Sequence, residues 1–215
     1  METTFESRYA IGPNETKTLD TKGLRENFLI DRLFWNDRIH FVYTHFDRYM
    51  AGGAMPVDQK LKLETIEPLL KEEFFLSRRE LGIINVGGAG TVEVDGEQID
   101  LGTKEALYIG KGVKEVYFSS KNAAEPAKFY LNSTPAHHSY PTKKVTKEQA
   151  NKIELGALET SNHRVINQML LHTVIETCQL QMGMTELKPG SVWNTMPAHT
   201  HDRRMEVYFY FDLPD

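Results

Sequence analysis

At 215 residues the chain has room for one large domain or two small ones, and enough length to bury a sizeable core. Hydrophobic residues make up 40% and charged residues 26%, a balance that argues against disorder, and a net charge of −5 leaves no bulk positive excess for a nucleic-acid backbone. The lone Cys178 excludes an internal disulfide and any CxxC motif; with no signal-peptide pattern and no run near the roughly 18 apolar residues of a membrane span, a soluble cytoplasmic protein is predicted.

Residues 1–24 are polar and mixed in charge, with a turn signal at Gly12-Pro13-Asn14, and read as an arm or as an edge strand and helix. From 28 to 49 the text is dense in aromatic and β-branched residues and breaks at Asn36-Asp37, which predicts two strands joined by a tight turn. His40 and His45, five residues apart, face opposite sides of a regular strand and read as ordinary packed or exposed histidines. Ala51-Gly52-Gly53-Ala54 with Pro56 reads as a loop, and 59–75 is ambiguous. Between 79 and 118, short alternating strands are separated by Gly87-Gly88-Ala89-Gly90, Asp95-Gly96, Leu101-Gly102 and Gly110-Lys111-Gly112, the spacing of an all-β sandwich or small barrel. A strand at 128–131 closes this first unit, which therefore spans 1–131.

Residues 132–166, with Pro135, Pro141 and mixed charge, read as a linker. In it His137 and His138 are a surface pair, and Lys143, Lys144 and Lys147 a solvated face. Thr160-Ser161-Asn162-His163-Arg164 is a turn that can also serve in binding. The second unit, 167–215, opens with an alternating strand at 174–182, continued over 183–187, and a turn at Lys188-Pro189-Gly190-Ser191. A weak repeat relates the two units: SRRELGIINVG and DRRMEVYFYFD each set paired arginines before a glutamate and an apolar strand, which superposes Glu80 on Glu206.

The second copy carries the chemistry. His199 and His201 present two imidazoles on one face of a strand, and a turn through 202–205 returns Glu206 beside them at the head of an aromatic strand. Two imidazoles and a carboxylate suit Zn²⁺, Fe²⁺, Mn²⁺ or Ni²⁺ with coordination positions left open. Arg203 and Arg204 are candidates to hold a substrate carboxylate bidentately, or else form a solvated turn or salt bridges. Tyr208 and Tyr210 share the face of Glu206 and line a pocket or fill the barrel, while Val207, Phe209 and Phe211 are expected to lack apolar partners.

The hairpin VEVDGEQIDLG (92–102) followed by ALYIGKGVKEVYF (106–118) resembles a cupin, the small β-barrel of jelly-roll type. Metal-binding cupins carry a histidine near the end of that second strand; Val113, Lys114 and Glu115 stand there instead, which implies a first barrel without metal, structural or interfacial in role. Over nearly the whole chain, KTLDTKGLRENFLI, RRELGIINVGGAGTVEVDG, YPTKKVT, ETCQLQMGMTEL and WNTMPAHTHDRRMEVYFYF closely resemble the 5-keto-4-deoxyuronate isomerases, also called 4-deoxy-L-threo-5-hexosulose-uronate ketol-isomerases. The resemblance implies an all-β bicupin of two jelly-roll barrels and one Zn²⁺ per subunit on His199, His201 and Glu206. It further implies a keto-uronate substrate, a homo-oligomer (a hexamer in the family) and a place in pectin and uronate breakdown, while the net charge and the lack of a long apolar run argue against nucleic-acid and membrane partners. The family's fourth ligand, a histidine, falls beyond residue 215, so the second barrel is expected to be incomplete. An iron cupin dioxygenase and a non-catalytic sugar-binding cupin use the same residues and stand as alternatives.

Overall fold

The computed structural model describes residues 3–193, 201 and 204–213. Strand β1 (Thr4–Arg8) runs parallel to β2 (Arg38–Thr44), and the crossover between them carries helices α1 (Pro13–Thr16) and α2 (Thr21–Phe28). Asp20 caps α2 by accepting from the Gly23 amide at 2.8 Å. The first residues are thus the edge strand and helix that their composition suggests.

The two strands expected over 28–49 reduce to one. Residues 29–35 form no strand, and Asn36 adds only an isolated bridge to Met55. The hairpin partner of β2 is β3 (Met50–Met55), the MAGGAM stretch expected as a loop, and it is buried throughout. Glycine normally weakens a strand, but here the absent side chains make room for a close backbone approach. A Cβ on Gly52 would stand 2.3 Å from the His40 carbonyl oxygen, and one on Gly53 2.5 Å from that of Leu33. The 29–35 stretch therefore lies across the glycine face of the sheet, with the Phe34 ring against Gly53, instead of pairing at its edge.

Next come β4 (Leu61–Lys62), α3 (Glu67–Leu70), β5 (Arg79–Asn85), β6 (Gly90–Val94), β7 (Glu97–Leu101), β8 (Ala106–Ile109) and β9 (Val116–Ser120). The Asp95-Gly96 hairpin forms as expected, with φ of 46° and 91° matching the twist of its strands. Strands β10 (Phe129–Pro135) and β11 (Lys143–Val145) complete a seven-stranded sheet of order β1-β2-β3-β10-β5-β8-β11, faced by a four-stranded sheet β4-β9-β6-β7. Phe41, Leu81, Ile83, Phe118, Phe129 and Leu131 fill the space between the two sheets. Each such side chain contributes about 1.5–3 kcal/mol by leaving water.

The expected linker, 132–166, carries strand instead. It holds the second half of β10, all of β11, β12 (Asn151–Leu155) and the start of β13 (Arg164–Leu170). A boundary after residue 131 would cut β10 where Asn132 pairs with both Ala51 and Gly82 in the middle of the sheet. With β14 (Met182–Leu187), β12 and β13 form a three-stranded antiparallel sheet. Met169, Leu170, Leu180 and Met182 pack on the outer face of the large sheet against Ile84, Tyr108 and Tyr130.

Residues 174–181, expected as strand, make turns. The cause is Glu80, which has no exposed surface. Its Oε1 accepts from the amides of Gln179 at 2.6 Å and Leu180 at 2.7 Å, and its Oε2 from the Cys178 amide at 2.8 Å and the Tyr108 hydroxyl at 2.6 Å. Three consecutive amides gathered on one carboxylate cannot join a ladder. Among the described residues the molecule is all-β with short helices, and none of its helices is long and apolar enough to cross a membrane.

Candidate functional site

The chain enters the terminal motif from a well-anchored turn. Gly190 takes φ of 85° after β14, the Ser191 hydroxyl donates to the His163 carbonyl at 2.9 Å, and the Trp193 indole donates to the Thr160 carbonyl at 3.0 Å. The 160–164 turn, which its composition left open to a binding role, thus serves as the mooring for the strand end. Beyond the turn, exposure alternates with a period of two: Met205, Val207, Phe209 and Phe211 are half-buried, while Arg204, Glu206, Tyr208 and Tyr210 are exposed. This is the predicted pattern of an extended chain, yet the segment joins no ladder among the described residues. Side chains hold it instead. Phe209, expected to lack a partner, stacks on Tyr130 with centroids 4.7 Å apart and meets Phe34 edge-on at 5.9 Å, and Asp212 pairs with Lys104 at 2.9 Å.

His201 and Glu206 come together, with Nε2 and Oε1 3.5 Å apart. Two ligands about 2.1 Å from one zinc at the tetrahedral angle stand roughly 3.4 Å apart, so this pair fits a shared metal. Glu206 is oriented by its neighbours: Arg204 Nη1 donates to Oε1 at 3.4 Å, and the Tyr208 hydroxyl donates to Oε2 at 3.1 Å. That hydrogen bond, together with partial burial, raises the Tyr208 pKa, so its hydroxyl stays protonated and acts as a donor. Tyr210 is 68% exposed, and its place on the Glu206 side of the chain agrees with the sequence pattern. His199 and Arg203 lie outside the described residues, and among the described residues no three His, Cys, Asp or Glu side chains form a metal-holding group.

Other histidines are taken up in packing. His40 accepts or donates at Thr4 Oγ1 over 3.0 Å and meets Trp35 edge-on, and His45 stacks on Tyr9. His138 meets the Tyr140 ring, and His137 Nδ1 lies 3.3 Å from Cys178 Sγ.

Two features escaped the sequence reading. One is a cleft of about 1500 Å³ bounded by the outer face of the large sheet, by β14 and by 204–213, with Tyr49, Tyr130, Asn132 and Glu206 among its lining residues. Burial pushes the Tyr130 phenol up to about 12 and Tyr49 well above its usual value, so both are neutral donors at physiological pH. The other is the pair Arg79 and Glu80, expected as an echo of the terminal motif. Both are buried in β5, on opposite faces of the sheet, and Glu80 is the anchor of the 178–180 turn. Arg79 Nε donates to Ser133 Oγ at 3.0 Å, and its Nη2 donates to the carbonyls of Ser133 at 2.8 Å and Arg48 at 2.7 Å. Burial, with Arg48 adding to it, lowers the Arg79 pKa to about 10. The available signal was an arginine and a glutamate side by side in an otherwise apolar strand, where only partnered charges are tolerated.

The KduI/IolB family pattern matches residues 35–213. A Formosa agariphila protein named 4-deoxy-L-threo-5-hexosulose-uronate ketol-isomerase is 64% identical over 214 residues, all of this chain and 76% of its own length. The chain belongs to the KduI/IolB family. Proteins of the same name from Bacteroides fragilis, 57% identical over 215 residues and 76% of their length, and from Escherichia coli, 53% identical over 209 residues and 75% of its length, are similar to this KduI/IolB member as well. Relatives this alike make it an isomerase.

Proposed function

We propose that the protein is a zinc-dependent ketol-isomerase converting 5-dehydro-4-deoxy-D-glucuronate to 3-deoxy-D-glycero-2,5-hexodiulosonate in uronate and pectin breakdown, as a cytoplasmic homo-oligomer. The observation that carries this reading is the 64% identity, over the full chain, to a ketol-isomerase with that substrate in its name. The 3.5 Å approach of His201 to Glu206 supports the metal half of it. His199, His201 and Glu206 would hold the ion, which when bound supplies a Lewis acid for the two oxygens between which the carbonyl moves.

The chain's own groups do the rest. Glu206 is kept in place as a ligand by Tyr208 and Arg204, which occupy lone pairs that would otherwise let the carboxylate rotate. Arg204 has a planar fork free for more than one oxygen and stands where a sugar acid's carboxylate can be received. Tyr208, protonated at neutral pH, donates a hydrogen bond and does not serve as the base. The cleft beside these residues is walled on one side by Phe209, stacked on Tyr130.

Purified protein is expected to contain about one zinc per chain by elemental analysis and to consume the 4-deoxy-5-keto-uronate as followed by proton NMR. Zinc-free protein, or an unchanged substrate spectrum, sinks the proposal. Oxygen uptake with iron bound would favour the dioxygenase alternative, and sugar binding without turnover the non-catalytic one.

A further inference from the structure

The segment that carries His201 and Glu206 is held at its two ends. At the entry, the Ser191 hydroxyl and the Trp193 indole fix the chain to the 160–164 turn. At the exit the holds lie on the large sheet and its turns: Phe209 stacks on Tyr130 at 4.7 Å and meets Phe34 at 5.9 Å, and Asp212 pairs with Lys104 at 2.9 Å. Among the described residues 204–213 joins no strand ladder that could set its place along the sheet. Side chains must do so.

Both receiving groups are rigidly mounted. Tyr130 is 7% exposed in β10, between Ile84 and Gly53, and the Phe34 ring lies against the space that Gly53 leaves. Lys104 leaves the β7–β8 turn at φ of 65°, with its amide donating to the Asn85 carbonyl at 2.6 Å. Asn85 is itself fully buried, and its side-chain amide donates to the carbonyls of Gly88 and Leu101. The Lys104 ammonium lies 3.7 Å from Glu186, which Lys147 already holds at 2.7 Å, and so its closer partner is Asp212. It also stands 6.0 Å from the Phe211 ring centre, on the same segment. From Glu206 to Phe209 is roughly 10 Å of extended chain, so a shift at the exit holds carries the carboxylate with it.

We infer that Tyr130 and Lys104, neither of them a ligand, are positioning residues for the metal motif. By docking Phe209 and Asp212 they set Glu206 against His201 at the 3.5 Å separation that one ion can bridge. The inference rests on the metal-binding reading proposed above, and it gives the outer face of the large sheet a part in metal affinity. The ring stack is the stronger hold, because a partly exposed ion pair exchanges with water at little cost.

Zinc titration in competition with a chelator, and tryptic cleavage of metal-free protein after Arg204 followed by mass spectrometry, test it on the full chain. Lys104→Met and Asp212→Asn are each expected to raise the zinc Kd about threefold, the double variant no further, and Lys104→Arg to keep the parent value. Phe209→Leu, which leaves buried Tyr130 in place, is expected to raise it about fivefold or more. Melting temperatures of the Lys104 and Asp212 variants should hardly change, while cleavage after Arg204 should quicken in Lys104→Met, Asp212→Asn and Phe209→Leu. If the parent binds zinc and these three variants match it in affinity and cleavage, or lose affinity only in step with melting temperature, this inference alone is overturned. A parent chain that binds no zinc overturns the proposed function and this inference together.

Discussion

Replacing Glu80 removes the acceptor for three backbone amides and one hydroxyl at once. In Glu80→Ala, the Leu180 amide and the Tyr108 hydroxyl are left in buried surroundings, and the Cys178 and Gln179 amides in partly buried ones. An unsatisfied buried group costs about 1–3 kcal/mol, so the two buried groups alone come to about 4 kcal/mol. The partly buried amides reach water and add little. For a chain of this size each kcal/mol lowers the melting temperature by about 2–4 °C, which gives a drop of about 8–16 °C. Glu80→Gln keeps one carbonyl oxygen for Gln179 and Leu180 but sets an amino group against the Cys178 N–H, for a cost of about 2 kcal/mol. Tyr108→Phe loses one bond to a charged acceptor, about 1.5 kcal/mol. The assay is urea denaturation of the three variants together with hydrogen exchange at residues 178–180, where protection should vanish first in Glu80→Ala. A Glu80→Ala protein within about 1 kcal/mol of the parent, with those amides still protected, would refute the anchoring argument.

Gly52→Ala places a methyl group 2.3 Å from the His40 carbonyl oxygen. Because that oxygen is fixed in the ladder, the substitution should cost about 3 kcal/mol or more, read as a fall in the urea midpoint; a neutral result would show that the sheet yields there. Tyr208→Phe removes the hydroxyl that orients Glu206 and is expected to weaken zinc about tenfold in competition with a chelator; unaltered affinity would leave Tyr208 without a role at the metal. Burial, the larger influence, lowers the His40 pKa below its usual 6.5, against the raising effect of Glu6. The unfolded chain then takes up a proton that the folded chain refuses, so this contribution is intact above the unfolded value and is lost as pH falls below it. His40→Gln should flatten that part of the melting-temperature profile between about pH 7 and pH 5, and an unchanged slope would assign the loss to other groups.

What could be read from the sequence depended on whether a residue's neighbours in the chain were also its neighbours in space. The hairpin at Asp95-Gly96 is local, and its alternation and turn chemistry agreed with each other. The MAGGAM strand was hidden because glycine's low strand propensity says nothing about a backbone that approaches from Leu33 and His40. Residues 174–181 alternate as a strand should, but their amides are drawn to a carboxylate about a hundred positions away, and period carries no trace of that. The approach of His201 to Glu206 joins residues five positions apart and is local in the same sense. Arg79 and Glu80 were visible as residue types and misread in role, since the repeat fixes their order but not the faces of the strand on which they fall.

The position of β10 has a consequence for how the protein is made. In the large sheet, β1-β2-β3 on one side and β5-β8 on the other share no edge until β10 lies between them, pairing Ser133 with Met50 and with Leu81. A growing chain that has reached β8 therefore holds two half-sheets with open, apolar edges and no means of joining them. Closure waits for synthesis to pass Pro135, and the long loops it spans make it a slow, high-contact-order step. Until then the nascent chain is exposed to wrong pairing, and chaperone binding should be concentrated in that interval.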